Sequence, residues 1–133
     1  MIVDASAVLA ILLAEEDAAA YGRAIAGAGS PLISAVNYVE AAVVIDSRGD
    51  AVASREFDRF MRRAGIQIVP VTAEHATLAR QAYRDFGKGR HPAGLNFGDC
   101  FSYALAAASN KPLLFKGDDF SKTDIPSALK PLH

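Results

Sequence analysis

The sequence predicts an α/β protein in which a short parallel sheet is covered by helices. Two observations carry that expectation. Short apolar runs alternate with longer stretches of helical periodicity along the whole chain, and strand–helix–strand alternation of this kind builds parallel sheets with helices packed on them. The 133 residues hold no internal repeat, low-complexity tract or evident linker, and 51% of them are apolar. That is enough for one core without disulfide or metal staples, so one domain over residues 1–133 is expected.

The elements follow in order from periodicity and breakers. Met1–Val3 reads as a buried strand ending at Asp4. Ser6–Leu13 and Asp17–Ala28 read as helices, the second stopped by Gly29. Pro31–Ile33 is a second strand, and Ser34 opens a long helix to about Ser47, closed by Gly49. Asp50–Ala64 is a helix with Phe57, Phe60 and Met61 on one face, ended by Gly65, and Ile66–Val69 is a third strand. Thr72–Phe86 is a helix capped by Thr72 and stopped by Gly87. Residues 88–95 form a loop, Asn96–Ser109 a very apolar helix and Leu113–Phe115 a fourth strand. Lys116–His133 is turn material with room for one more edge strand.

Charge and cysteine content narrow the function classes. With 14 basic and 15 acidic residues the net charge is −1, whereas a protein binding nucleic acid by bulk charge would be basic; any RNA must be gripped locally. Cys100 is alone, which fits a reducing compartment and reads as a small core residue. The apolar opening IVDASAVLAILLA is too short to span a bilayer and is interrupted by Asp4. It also lacks the basic flank and cleavage site of a secretion signal, so a soluble, cytoplasmic protein is expected.

Four acidic positions stand out against apolar surroundings. Asp4, in IVDASAV, ends the first strand, and also reads as a helix N-cap. Glu40, in SAVNYVEAAVVI, shares a face with Asn37 on a helix apolar nearly all round. Such a helix is expected to be buried, with Glu40 in or beside the core; Glu40 also reads as a surface stripe on a half-exposed helix. Asp99, in LNFGDCFSYALAAA, lies three residues after Asn96 and also reads as half of a capping box. Asp118 and Asp119, in LLFKGDDF, follow the last strand, where Gly-Asp is also ordinary turn chemistry.

Their placement joins them. In a parallel sheet, helix N-termini and strand C-termini lie at one edge, where α/β active sites form. Asp4, Asp118 and Asp119 end strands, Asp99 starts a helix, and Glu40 lies six residues past Ser34, about 9 Å along its helix at ~1.5 Å per residue. Clustered carboxylates repel unless a cation neutralises them, and an all-oxygen set suits magnesium or manganese. Zinc is disfavoured because His75, His91, His133 and Cys100 are scattered. A cation held by one or two carboxylates keeps open positions for phosphate oxygens and water, which is the chemistry of phosphodiester hydrolysis.

Other logics are weaker. The Ala5-Ser6-Ala7 turn lacks the glycines of a dinucleotide site, and Ser6 has no nucleophile-elbow pattern around it. The loop GKGRHPAG places Lys88, Arg90 and His91 just before Asp99, where Lys88 and Arg90 could hold an RNA backbone or stand as a solvated loop. Its glycines suggest mobility. Arg55, Arg59, Arg62 and Arg63 read as a solvated face or as partner contacts.

Taken together, IVDASA, the acid of the second core helix (Glu40), NFGDCFSYALA and LLFKGDDFSKTDI resemble the PIN-domain toxins called VapC, in order and over nearly the whole chain. The resemblance implies a three-layer α/β/α domain and a magnesium-dependent endoribonuclease, the toxin of a toxin–antitoxin pair. It implies a VapB-type antitoxin that inserts a segment into the active-site groove, and commonly a homodimer. By motif match Asp4 and Asp99 carry over as metal ligands and Glu40 as the third acid, ligand or water-orienting base. Asp118 or Asp119 is the fourth, with Asp119 favoured, and Ser6 is a supporting hydroxyl. Competing readings are a non-catalytic PIN-like binding module, a DNA nuclease with the same carboxylate logic, and a receiver-type phosphoacceptor domain in which Lys116 would stand as the late lysine.

Overall fold

The computed structural model of the protein describes residues 1–129; His133 lies outside them. The strands are β1 (Ile2–Val3), β2 (Leu32–Ser34), β3 (Gln67–Val69) and β4 (Leu113–Leu114). The helices are α1 (Ala5–Leu12), α2 (Ala18–Gly27), α3 (Ala35–Asp46), α4 (Ala51–Arg63), α5 (Ala73–Phe86) and α6 (Phe97–Ser109). One turn of 3-10 helix follows at Phe120–Lys122. Where a further edge strand was expected, the chain instead makes an isolated bridge between Ser127 and Leu113.

All pairings are parallel, in the order β3-β2-β1-β4. Successive strand residues point to opposite faces, and the two cores divide accordingly. Val3, Ile33 and Leu114 pack with α1, α2, α3 and α4. Ile2 and Leu113 pack with α5 and α6. The result is the three-layer α/β/α arrangement that alternation predicts, with strands of only two or three residues.

Helix starts fall where the capping residues place them. Ser34, Asp50, Thr72 and Asn96 each accept a backbone N–H of the turn they open, satisfying donors that would otherwise be orphaned. Phe57 and Met61 are buried, as the α4 pattern requires, and Arg55, Arg59, Arg62 and Arg63 are exposed.

α3 departs from expectation. Its near-continuous apolar sequence predicts burial all round, yet Val39 is 54% and Val43 58% exposed. These residues are four apart and form one outward stripe, while Asn37, Ala41 and Ile45 face inward.

The chain runs β1 to β2 to β3 in one direction and places β4 on the other side of β1. The switch point lies at the carboxyl ends of β1 and β4, where an open α/β sheet leaves a crevice.

Candidate active site

Asp4 leaves β1 at that crevice and caps α1. Its backbone N–H donates to the Leu114 carbonyl at 2.9 Å, tying it to β4. The side chain is 4% exposed. Oδ2 accepts the Ser6 N–H at 3.0 Å and the Ser6 hydroxyl at 2.6 Å, and Oδ1 accepts the Ser102 hydroxyl at 2.5 Å. Cap and buried carboxylate are thus the same group. The supporting place expected for Ser6 is occupied: its Oγ also accepts the Lys116 N–H at 3.0 Å, which directs the hydroxyl hydrogen toward Asp4.

Glu40 lies where α3 packs on the start of α6, the turn that carries Asp99. Asn37 is fully buried. Its Nδ2 donates to the Gly98 carbonyl at 2.9 Å and to Glu40 Oε1 at 3.3 Å, while its Oδ1 has no partner. The Glu40 carboxylate lies directly against Gly98: a Cβ there would stand 2.1 Å from Oε2. Gly98 thus leaves the space in which the Glu40 carboxylate sits, by close approach rather than by backbone conformation. Asp99 forms the capping box, its Oδ2 accepting the Asn96 N–H at 3.1 Å while Asn96 Oδ1 accepts the Asp99 N–H at 2.9 Å. Here too the capping role and the place in the cluster coexist.

The charges of these acids bear on one another. Burial pushes the Asp99 carboxyl up to about 7, and the negative charges of Asp4, Asp119 and Glu40 add to that rise against the hydrogen bond from Asn96. Burial, then the charge of Asp4, also raises Glu40. Asp119, exposed beyond β4, is the member of the Asp118–Asp119 pair that acts on Asp99.

No Lys or Arg forms an ion pair with Asp4, Glu40, Asp99 or Asp119 among the described residues. Nor do three His, Cys, Asp or Glu side chains converge there into a ready-made metal cage. The donor set nevertheless fits magnesium, which binds through one or two carboxylates and keeps several waters.

The basic loop is placed differently from the acids. Lys88 and Arg90 are exposed, and the Arg90 guanidinium lies over the Tyr83 ring at 5.7 Å, on α5. Gly89 and Gly94 take positive φ. They shape turns closed by bonds from the Arg90 and His91 N–H groups to the Gly87 carbonyl and by the Gly87–Leu95 bridge, so these glycines have a structural reason apart from mobility. Phe97, beside Asp99, is 74% exposed. Cys100 is a buried free thiol.

Comparison with known proteins places this geometry. The PIN domain family model matches residues 1–126. Ribonuclease VapC28 of Mycobacterium tuberculosis is 53% identical over 130 residues, 97% of this chain and 98% of the relative. This chain belongs to the VapC family of PIN-domain ribonucleases. Ribonuclease VapC of Mycolicibacterium smegmatis is 50% identical over 125 residues, 94% of this chain and 97% of that one. The crystal structure of Mycobacterium tuberculosis VapC20, described as a Sarcin-Ricin loop cleaving toxin, superposes with a TM-score of 0.73 at 19% identity, covering 98% of both chains; this likeness supports the fold alone.

VapC membership removes the receiver-type reading, and the structure removes its lysine. Lys116 Nζ is engaged by Glu15 and by Asp17, the latter at 3.1 Å. No helix of the described residues is long and apolar enough to cross a membrane.

Proposed function

We propose that the chain is one PIN nuclease domain acting as a magnesium-dependent endoribonuclease, the toxin of a VapBC-type pair, with Asp4, Glu40, Asp99 and Asp119 as its catalytic acids. One observation carries the reading: the charges of Asp4, Glu40 and Asp119 all bear on Asp99 at the sheet's switch point, where burial and those charges raise Asp99 to about 7 and burial and Asp4 raise Glu40, and no Lys or Arg pairs with these acids among the described residues.

Asp4 and Asp99 would hold the cation, magnesium or manganese. Bound there, it would supply charge stabilisation to the scissile phosphate and lower the pKa of a coordinated water. Asp4 serves as a fixed ligand because hydroxyl donors engage both of its oxygens. Glu40, held by Asn37 and backed by Gly98, orients the attacking water and accepts its proton; a raised carboxylate pKa suits that transfer. Asp119 closes the cluster from the β4 side. Lys88 and Arg90, exposed on the loop that leads into α6, would bind the RNA backbone.

The partners in this reading are RNA, a VapB-type antitoxin with a segment in the groove, and a second copy of the chain, in the cytoplasm. Exposed Val39, Val43 and Phe97 offer apolar surface of the kind protein partners cover.

The test incubates purified protein with single-stranded RNA, and in parallel with a DNA strand of the same sequence. Cleavage of RNA in magnesium should stop on chelation and return on magnesium addition. Asp4→Asn and Asp99→Asn should each lower it at least about a hundredfold, since the charge stabilisation supplied by a metal ion is worth several kcal/mol. Asp119→Asn should cost more than Asp118→Asn. Equal RNA cleavage by wild type and Asp4→Asn would sink the assignment, and cleavage of DNA alone would redirect it.

A further inference from the structure

The described residues bury four polar or charged side chains: Asp4, Ser34, Asn37 and Ser102. Ser34 caps α3 and Asn37 supports Glu40. Ser102 lies on α6, is fully buried, and uses its hydroxyl on Asp4, 98 positions away in sequence, at 2.5 Å. A buried helical serine ordinarily satisfies itself on the carbonyl four residues back. This one reaches out of its helix to the carboxylate instead.

That bond decides what Asp4 has left to offer. A carboxylate has about four lone-pair sites. The Ser6 N–H and hydroxyl both fall on Oδ2, and Ser102 engages Oδ1. One acceptor site on Oδ1 stays open, and the carboxylate cannot rotate without breaking bonds at both oxygens. Ser102 also follows Asp99 by three residues, on the same face of α6. One helix therefore supplies a candidate ligand and fixes the orientation of the other.

We infer that Ser102 is a positioning residue that sets divalent-cation affinity by holding the Asp4 carboxylate with one Oδ1 site free. The inference rests on the proposed metal site. Groups that orient a ligand from behind typically change metal affinity by about 10- to 100-fold when removed. Alanine fits the space of serine and favours helix, so the fold should survive the change.

The experiment titrates the full-length protein with Mn²⁺ at neutral pH and reads free Mn²⁺ by electron paramagnetic resonance, with circular dichroism as the check on folding. Ser102→Ala should bind Mn²⁺ about 10- to 100-fold more weakly, and should require correspondingly more metal for half-maximal RNA cleavage. Ser102→Cys keeps the side chain's shape but offers only a weak donor. It should be weakened as well, and it carries the test should the alanine variant fail to fold. Wild-type affinity in either folded variant would overturn the inference: in both, the hydroxyl sets nothing; in the cysteine variant alone, Ser102 acts by packing. Wild-type protein that binds no Mn²⁺ would instead overturn the metal site itself, and the inference with it.

Discussion

Two groups of acids in this chain meet opposite treatment. Glu15 and Asp17, on the turn between α1 and α2, share Lys116. Asp4, Glu40, Asp99 and the exposed Asp119 form no ion pair among the described residues, and the first three are held by serine hydroxyls, an asparagine amide and backbone N–H groups. Neutral donors fix the direction of a carboxylate without cancelling its charge. The first group is a surface ion cluster that ties a turn to the sheet. The second, on the proposed reading, is a set of carboxylates whose mutual repulsion a cation would relieve. On the proposed reading, uncompensated charge, more than acidity as such, separates the functional group from the structural one.

The difference can be broken from either side. The largest effect should come from Gly98→Ala. Its Cβ would fall 2.1 Å from Glu40 Oε2 and 2.7 Å from Cδ, so the carboxylate must leave its place beside Asn37. RNA cleavage should drop by roughly 10²-fold or more, the lower end of what a displaced proton-transfer group costs. The atoms met are the far end of the half-exposed Glu40 side chain, which can swing aside, so chemical denaturation should show little loss of stability. Cleavage at the wild-type rate would show that Glu40 need not sit where the structure places it. The smallest effect should come from Lys116→Met. Half-exposed ion pairs are worth at most about 1 kcal/mol, and the Lys116 contact that matters to the site is its backbone N–H on Ser6. Thermal unfolding should shift slightly and cleavage should stay within a few-fold. A large loss of activity would mean that the Lys116 charge reaches the acids after all.

Much of this contrast was legible in the sequence, because capping residues, strand ends and helix starts are local signals. Asp4, Asn96 and Thr72 each mark a boundary the structure confirms, and parallel topology turns those boundaries into one edge. The capping readings of Asp4 and Asp99 hold, and capping leaves both carboxylates available to the proposed site. What stayed hidden depends on tertiary approach. Nothing in NFGDCFSYALA distinguishes Ser102 from an incidental small residue until α6 is laid against β1. Gly98 reads as a weak helix position until Glu40 is seen against it. For α3 the sequence leaves burial and a half-exposed face both open, because an unbroken run of Val and Ala carries no contrast between inward and outward faces. The valines at 39 and 43 point outward.

The most direct test of the central claim is the stability of metal-free protein against pH. A carboxyl whose folded pKa is raised binds its proton more tightly in the folded state, so the fold loses stability as pH rises from the unfolded pKa to the folded one. For Asp99 that window runs from 3.8 to about 7, and Glu40 acts in the same direction. The melting temperature of chelator-treated wild type should fall from pH 4 to above pH 7. Asp99→Asn should flatten that fall, and magnesium should restore stability to the wild type more at pH 8 than at pH 5. A flat or rising profile across that window, or no response to magnesium at pH 8, would contradict an uncompensated acidic cluster built to receive a cation.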